Sequence, residues 1–287
     1  MPELPEVETV RRGLAPVMEG AILSHVEARR PDLRFPLPDQ FVERLSGARV
    51  LQLLRRAKYL IAHLDRGESL IMHLGMSGRF GVVDGDIVKT FDDYVYATGG
   101  IAKHDHIVFH VQDGPKIVYN DPRRFGFMDL VATDKLETCP HFAKMGPEPL
   151  GNGFHEDGLR QALAHKKTTI KAALLDQSTV AGLGNIYVCE ALFRARISPL
   201  RIAADLTASQ IERLTFHIRG VLNDAIGAGG SSLRDFASTD GSLGGFQERF
   251  DVYGREGQPC QCDGRRGVIV RLVQSGRSSF YCPTCQI

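Results

Sequence analysis

The apolar pattern of this 287-residue chain changes period once, and that change limits the folds open to it. Between residues 20 and 130 the hydrophobic residues fall in short β-rich runs, Ala48 to Leu54, Tyr59 to Leu64, Leu70 to His73, His106 to Val111 and Lys116 to Tyr119, divided by Gly, Asp and Pro. Runs of this kind predict an all-β sandwich or barrel. Residues 131 to 155 read as a linker that includes Gly146-Pro147-Glu148-Pro149. From about His155 to Gly229 the spacing is helical, and Thr207 with Gln210 forms a capping box ahead of Ile211, Leu214, Ile218 and Leu222. Two such segments predict separate domains and an α+β multidomain chain.

The start of the chain is as specific as its middle. Met1-Pro2-Glu3-Leu4-Pro5-Glu6-Val7-Glu8 runs directly into an apolar stripe of Val7, Val10 and Leu14. One reading is a helix start: proline suits the first turn, and acidic residues suit the positive end of the dipole. The other is chemical. Removal of Met1 leaves Pro2 as a secondary amine of a class that titrates near roughly 8, so a fraction is a neutral nucleophile at physiological pH. Its adduct with a sugar C1′ is an iminium without an N–H, a permanent electron sink, and Glu3 beside it can move protons.

Further positions each carry two readings. Lys58, in the basic run Arg55-Arg56-Ala57-Lys58, is a solvated charge or a catalytic lysine. His73, His104 and His106 lack a third ligand at convincing spacing and fit hydrogen-bonded or phosphate-binding histidines better than a metal. Met76, in a Gly-Met-Ser-Gly turn, suits a wedge into a base stack. Asp121-Pro122-Arg123-Arg124-Phe125-Gly126 is a proline-initiated turn with a buried Phe, or one that displays a donor fork beside a flat apolar ring. Gly182-Leu183-Gly184-Asn185 is a plain helix–turn–helix connection or a close approach to a phosphate at a helix N-terminus. Residues 229 to 247 are glycine-rich and predict either a mobile loop or a simple linker.

Four of the six cysteines, Cys260, Cys262, Cys282 and Cys285, lie in the last 28 residues. Paired cysteines around a short apolar run predict one structural Zn²⁺ bound by four thiolates, in a module too small to build its own core. The Cys-x-Cys spacing of the first pair is tight, and Cys262 is the weakest ligand of the set.

The opening Met-Pro-Glu-Leu-Pro-Glu-Val-Glu-Thr-Val-Arg-Arg-Gly-Leu resembles that of the formamidopyrimidine-DNA glycosylases, bacterial base-excision-repair enzymes. Other blocks recur in that family's order: Arg55 to Leu60, His73 to Gly78, Lys103 to His106, Asp121 to Gly126, Gly182 to Tyr187, and the cysteine tail, whose first pair departs from the family's Cys-x2-Cys. The resemblance implies an N-terminal β-sandwich with a short N-terminal helix at 2–135, a helix–two-turn–helix domain at 136–248 with a lesion-capping loop at about 231–247, and a β-hairpin zinc finger at 249–287. It implies a glycosylase and AP lyase for oxidised purines, with Pro2 as nucleophile and Glu3, Glu6, Lys58 and Arg277 in the catalytic machinery. His104, Lys167, Lys171 and Asn185 would contact the DNA backbone, while Met76, Arg123 and Phe125 would fill the space left by a flipped base.

Net charge is only +1, so a nucleic-acid role needs its cations gathered locally; residues 255 to 287 hold five arginines against Glu256 and Asp263. No run of about 18 apolar residues exists, and the acidic N-terminus is unlike a signal peptide. A cytoplasmic, nucleoid-associated monomer acting on double-stranded DNA with oxidised bases or abasic sites is the expectation. The rivals are an endonuclease VIII-like enzyme for oxidised pyrimidines, a non-catalytic damaged-DNA-binding protein, and a zinc hydrolase. Four thiolates disfavour the last, because they leave zinc no open position for water.

Overall fold

The computed structural model describes residues 1–85, 87–90, 103–231, 245–262 and 267–287, with 87–90 described as backbone only. The chain forms two compact units, one of Met1–Ala143 with Ala228–Gly245 and one of Lys144–Gly227 with Phe246–Ile287.

The first unit opens with helix α1 (Leu4–Met18), followed by β1 (Leu23–Ala28), the short α2 (Phe41–Leu45), β2 (Val50–Arg56), β3 (Tyr59–Leu64), β4 (Glu68–His73), β5 (Arg79–Asp84), β6 (Ile87–Thr90), β7 (Asp105–Val111), β8 (Lys116–Asn120) and β9 (Phe127–Ala132). The strands pair antiparallel in two sheets, ordered β2-β3-β4-β9 and β1-β7-β8-β5-β6. Alternate residues of both sheets share one core: Leu60, Ala62 and Leu64 of β3 and Leu70 and Met72 of β4 meet Ile107 and Phe109 of β7 and Ile117 and Tyr119 of β8. This is the expected sandwich. Helix α1 contributes Val7, Val10, Leu14 and Met18 to that core. Each such side chain contributes about 1.5–3 kcal/mol, against ~1 kcal/mol for a helix cap, so packing rather than local propensity holds the helix.

Four strands, β1, β5, β6 and β9, lie outside the runs named from the sequence. In β1 the register shifts between Leu23 and His25, a bulge that breaks the period of two. Strands β5 and β6 form a hairpin, so the excursion at 84–102 begins by extending the sheet; its residues 91–102 lie outside the described residues. The linker expected at 131–155 is partly structured, because β9 runs to Ala132 and a 3-10 turn follows at Thr133–Thr138. Behind it Phe142 packs edge-on against Tyr59, with ring centroids 5.2 Å apart.

The second unit contains α3 (Glu156–Leu163), α4 (Ile170–Leu175), α5 (Asn185–Arg194), α6 (Ala208–Gly227) and the hairpin of β10 (Val270–Gln274) and β11 (Arg277–Tyr281). The capping box forms as read: the Gln210 N–H donates to Thr207 Oγ1 at 3.3 Å, and the Thr207 N–H donates to Gln210 Oε1 at 3.0 Å. Ser275 and Gly276, at φ 48° and 74°, make the two-residue turn between Gln274 and Arg277, the left-handed pair that suits a twisted hairpin.

Candidate active site

The helix-start reading of the N-terminus holds structurally. Glu3 caps α1, its N–H donating to Glu6 Oε2 at 2.9 Å, in a capping box that fixes the helix start. Pro2 is buried, and Glu3, Glu6 and Lys58 are 3%, 7% and 7% exposed. Three ionisable side chains at such depth are uncommon outside working sites. The other Glu6 oxygen accepts from the N–H and hydroxyl of Ser231, at 2.8 and 2.9 Å. Ser231 is the last described residue before 232–244, so most of the anticipated capping loop lies outside the described residues.

Lys58 sits in the two-residue turn between β2 and β3, after Ala57 at φ 54°, a left-handed conformation that normally favours glycine. Arg55 braces this turn: its Nη1 donates to the Ala57 carbonyl at 3.0 Å, and its Nε lies 3.3 Å from Glu8 on α1. Burial acts to raise the Glu8 pKa, but hydrogen bonds from Arg11 and Arg12 and the charge of Arg55 hold it below the ordinary value.

A cleft of about 570 Å³ opens beside Met1. Met76, Arg123 and Phe125 line it together with Met1 and His73. Met76 and Phe125 are 36% and 42% exposed, and the Arg123 guanidinium lies 4.7 Å from the Phe125 ring centroid. Burial, reinforced by the charges of Lys58 and Arg34, lowers the His73 pKa to about 4. The ring is therefore neutral at physiological pH; its Nδ1 accepts from the Gly75 N–H at 3.1 Å, which leaves the proton on Nε2. A second cleft, of about 400 Å³, is lined by Arg29, Arg30, Lys103, His104 and Arg124 with Asp105, a cationic surface fit for a phosphate backbone.

In the second unit the anticipated DNA contacts separate. Lys167 is exposed. Lys171 is 1% exposed and donates to the Ser278 carbonyl at 2.9 Å and to Ser279 Oγ at 2.7 Å. Asn185, the first residue of α5, donates to the same Ser278 carbonyl at 2.9 Å. Both side chains thus grip β11 one residue beyond Arg277, which is itself exposed.

The formamidopyrimidine-DNA glycosylase N-terminal domain matches residues 1–128, that family's H2TH domain matches 145–237, and the zinc finger found in FPG and IleRS matches 266–287. The chain is 58% identical, over the whole of both sequences, to formamidopyrimidine-DNA glycosylases of Caulobacter sp. (strain K31) and Ruegeria pomeroyi. The chain belongs to the formamidopyrimidine-DNA glycosylase family. Among solved structures it resembles MutM (Fpg) of Thermus thermophilus, with 39% identity, a TM-score of 0.84 and coverage of 99% and 98% of the two chains. It also resembles a Lactococcus lactis Fpg variant in complex with Fapy-dG-containing DNA, with 35% identity, a TM-score of 0.86 and 99% coverage of each chain.

The zinc finger of the glycosylase family has its ligand set here. The sulfurs of Cys260, Cys262, Cys282 and Cys285 all lie within 4.8 Å of one another, and a Cβ on Gly267 would stand 2.3 Å from the Cys282 sulfur, so the backbone wraps closely around them. The structure joins Cys262 to Cys285 directly, yet their Cα atoms are 7.1 Å apart, beyond the span of about 4.4–6.8 Å usual for a disulfide. Four converging thiols at that backbone spacing fit one tetrahedral structural Zn²⁺ better than a single bridge. The Cys-x-Cys pair therefore brings Cys262 into the cluster despite its short spacing.

Sequence reasoning left Ser77, Asp121, Glu190 and Ser231 without roles, although the structure gives each a central contact. Only Asp121 carried a signal, as the residue before a turn proline, where aspartate commonly bonds its own backbone.

Proposed function

We propose that this chain is a bifunctional DNA glycosylase and AP lyase that removes oxidised purines, 8-oxoguanine and formamidopyrimidines, from duplex DNA in base-excision repair. With Met1 removed, the Pro2 nitrogen donates its lone pair to C1′ of the flipped nucleotide. The glycosidic bond breaks, its electron pair leaves with the base, and the Glu3 carboxyl moves the proton that completes departure. The bound amine then loses its proton and its lone pair expels O4′, which takes up a proton as the sugar ring opens; the resulting iminium acidifies the C2′ hydrogens, and β- then δ-elimination expels the 3′ and 5′ phosphates. Lys58 supplies a cation beside this centre. Met76, Arg123 and Phe125 occupy the stack vacated by the lesion. Lys167, Lys171, Asn185 and His104 serve the backbone contacts, and Arg277 acts from the zinc-finger hairpin. Zinc, held by Cys260, Cys262, Cys282 and Cys285, shapes that hairpin and takes no part in the chemistry. We place the protein in the cytoplasm, on nucleoid DNA; among the described residues no helix is long and apolar enough to cross a membrane.

The observation that carries this reading is a juxtaposition: Met1, whose removal exposes the Pro2 nitrogen, lines the same cleft as Met76, Arg123 and Phe125. Borohydride trapping tests it. The native N-terminus should yield a covalent adduct with 8-oxoguanine and abasic duplexes, and Pro2→Gly or a retained Met1 should abolish it. Undiminished adduct from Pro2→Gly would defeat the mechanism, whereas tight binding with no nicking would leave a lesion-recognising scaffold. Faster cleavage of thymine glycol than of 8-oxoguanine would move the enzyme to the pyrimidine branch.

A further inference from the structure

Two turns carry the side chains that fill the vacated stack, and they come from different places in the sequence. Gly75 to Gly78 holds Met76; Pro122 to Gly126 holds Arg123 and Phe125. One buried carboxylate joins them. Asp121 has no exposed surface. Its Oδ1 accepts from Ser77 Oγ at 2.5 Å, across to the first turn, while its Oδ2 accepts from the Gly126 N–H at 2.8 Å and the Tyr119 hydroxyl at 3.3 Å. Ser77 Oγ in turn accepts from the Arg123 N–H at 3.1 Å, closing a loop of hydrogen bonds through both turns. The Asp121 backbone is fixed as well, its N–H donating to the His104 carbonyl at 3.0 Å and its carbonyl lying 2.9 Å from His106 Nε2.

The packing around this carboxylate leaves no room for error. A Cβ on Gly75 would stand 2.3 Å from the Gly126 nitrogen, and one on Gly126 would stand 1.9 Å from the Tyr119 hydroxyl. No side chain fits at either position, so the Gly75 backbone lies directly against that of Phe125 and Gly126, and this close packing joins the two turns. Wedges that must enter a base stack gain from this rigidity, because ordering them at the moment of insertion would subtract from binding.

We propose that Asp121 is a positioning residue for base flipping: it locks the Met76 turn to the Arg123–Phe125 turn and so holds the wedge pre-formed. The proposal rests on the wedge role assigned above to Met76, Arg123 and Phe125.

The test compares a reaction that needs the wedge with one that does not. Single-turnover rates are measured for 8-oxoguanine excision from duplex DNA and for strand cleavage at an abasic site in single-stranded DNA, which has no partner base and no stack to fill. Asp121→Asn, Phe125→Ala and Met76→Ala should each slow duplex excision about tenfold or more, the scale of losing a hydrogen bond to a charged group or an anchoring ring, and Asp121→Asn should leave single-strand cleavage at the wild-type rate. In the Asp121→Asn/Phe125→Ala double variant the factors should not multiply, because both act through one wedge. Multiplying factors, an equal loss on single-stranded DNA, or a wild-type duplex rate for Asp121→Asn beside a slowed Phe125→Ala would overturn the assignment of Asp121 alone. Unchanged duplex rates in Met76→Ala and Phe125→Ala would overturn the wedge reading and this proposal with it. Should Asp121→Asn fail to fold, Ser77→Ala removes only the link between the turns and must show the same split between the two substrates.

Discussion

Glu6 accepts two hydrogen bonds from Ser231, a residue 225 positions away in sequence, while its second oxygen accepts from the backbone of Glu3. One carboxylate thus ties the residue after Pro2 to the segment that leads into residues 232–244.

Breaking that tie should affect both fold and rate. Glu6→Gln presents an amide NH₂ to a donor on one side, and the expected cost is about 1–3 kcal/mol of stability. Thermal unfolding should show a lower Tm, and single-turnover excision should slow by about tenfold. Ser231→Ala removes only the hydroxyl contact and should cost less, about 0.5–1.5 kcal/mol. A Glu6→Gln protein with wild-type Tm and rate would show that the shared carboxylate holds nothing essential.

The second unit contains its own pH-sensitive contact. Glu190 of α5 is fully buried, and its two oxygens accept from the N–H groups of Asp251, Val252 and Tyr253 at 2.8, 3.1 and 2.8 Å. Burial raises its pKa to about 7, against the pull of those amides. Between its ordinary value of 4.5 and about 7 the folded chain holds a proton that the unfolded chain has released. Stability therefore falls as pH rises through that window and levels off above it, by a total on the order of 3 kcal/mol. Urea titrations of wild type and Glu190→Gln at intervals from pH 4.5 to 8 check this: the difference between the two should change in the wild-type-destabilising direction as pH rises. A difference independent of pH would rule it out.

Zinc and a disulfide respond oppositely to reagents. With the four cysteines holding a metal, dithiothreitol alone should leave DNA nicking and Tm unchanged, and native mass spectrometry should find one zinc per chain. Reductant with a chelator should abolish nicking, because metal binding in such modules is folding free energy, on the order of 10 kcal/mol or more. Cys282→Ser should behave as the chelated protein does. Loss of activity in dithiothreitol alone would mean that the Cys262–Cys285 bond is the structural link.

Much of this molecule is legible locally. The stripe of Val7, Val10 and Leu14, the Thr207–Gln210 box, the β runs of the sandwich and the clustered cysteines all depend on residues a few positions apart, and short-range physics writes them directly into the sequence. Family blocks extended that reading to Pro2, Glu3 and Lys58, whose shared burial no spacing rule could supply. Tertiary structure alone decided the rest. Lys171 and Asn185 meet on the carbonyl of Ser278 about a hundred residues away, Asp121 reaches Ser77, and Glu6 reaches Ser231. Polar contacts between distant segments leave no periodic trace; they exist only because the hydrophobic cores bring those segments together, and burial then requires each donor and acceptor to find its partner.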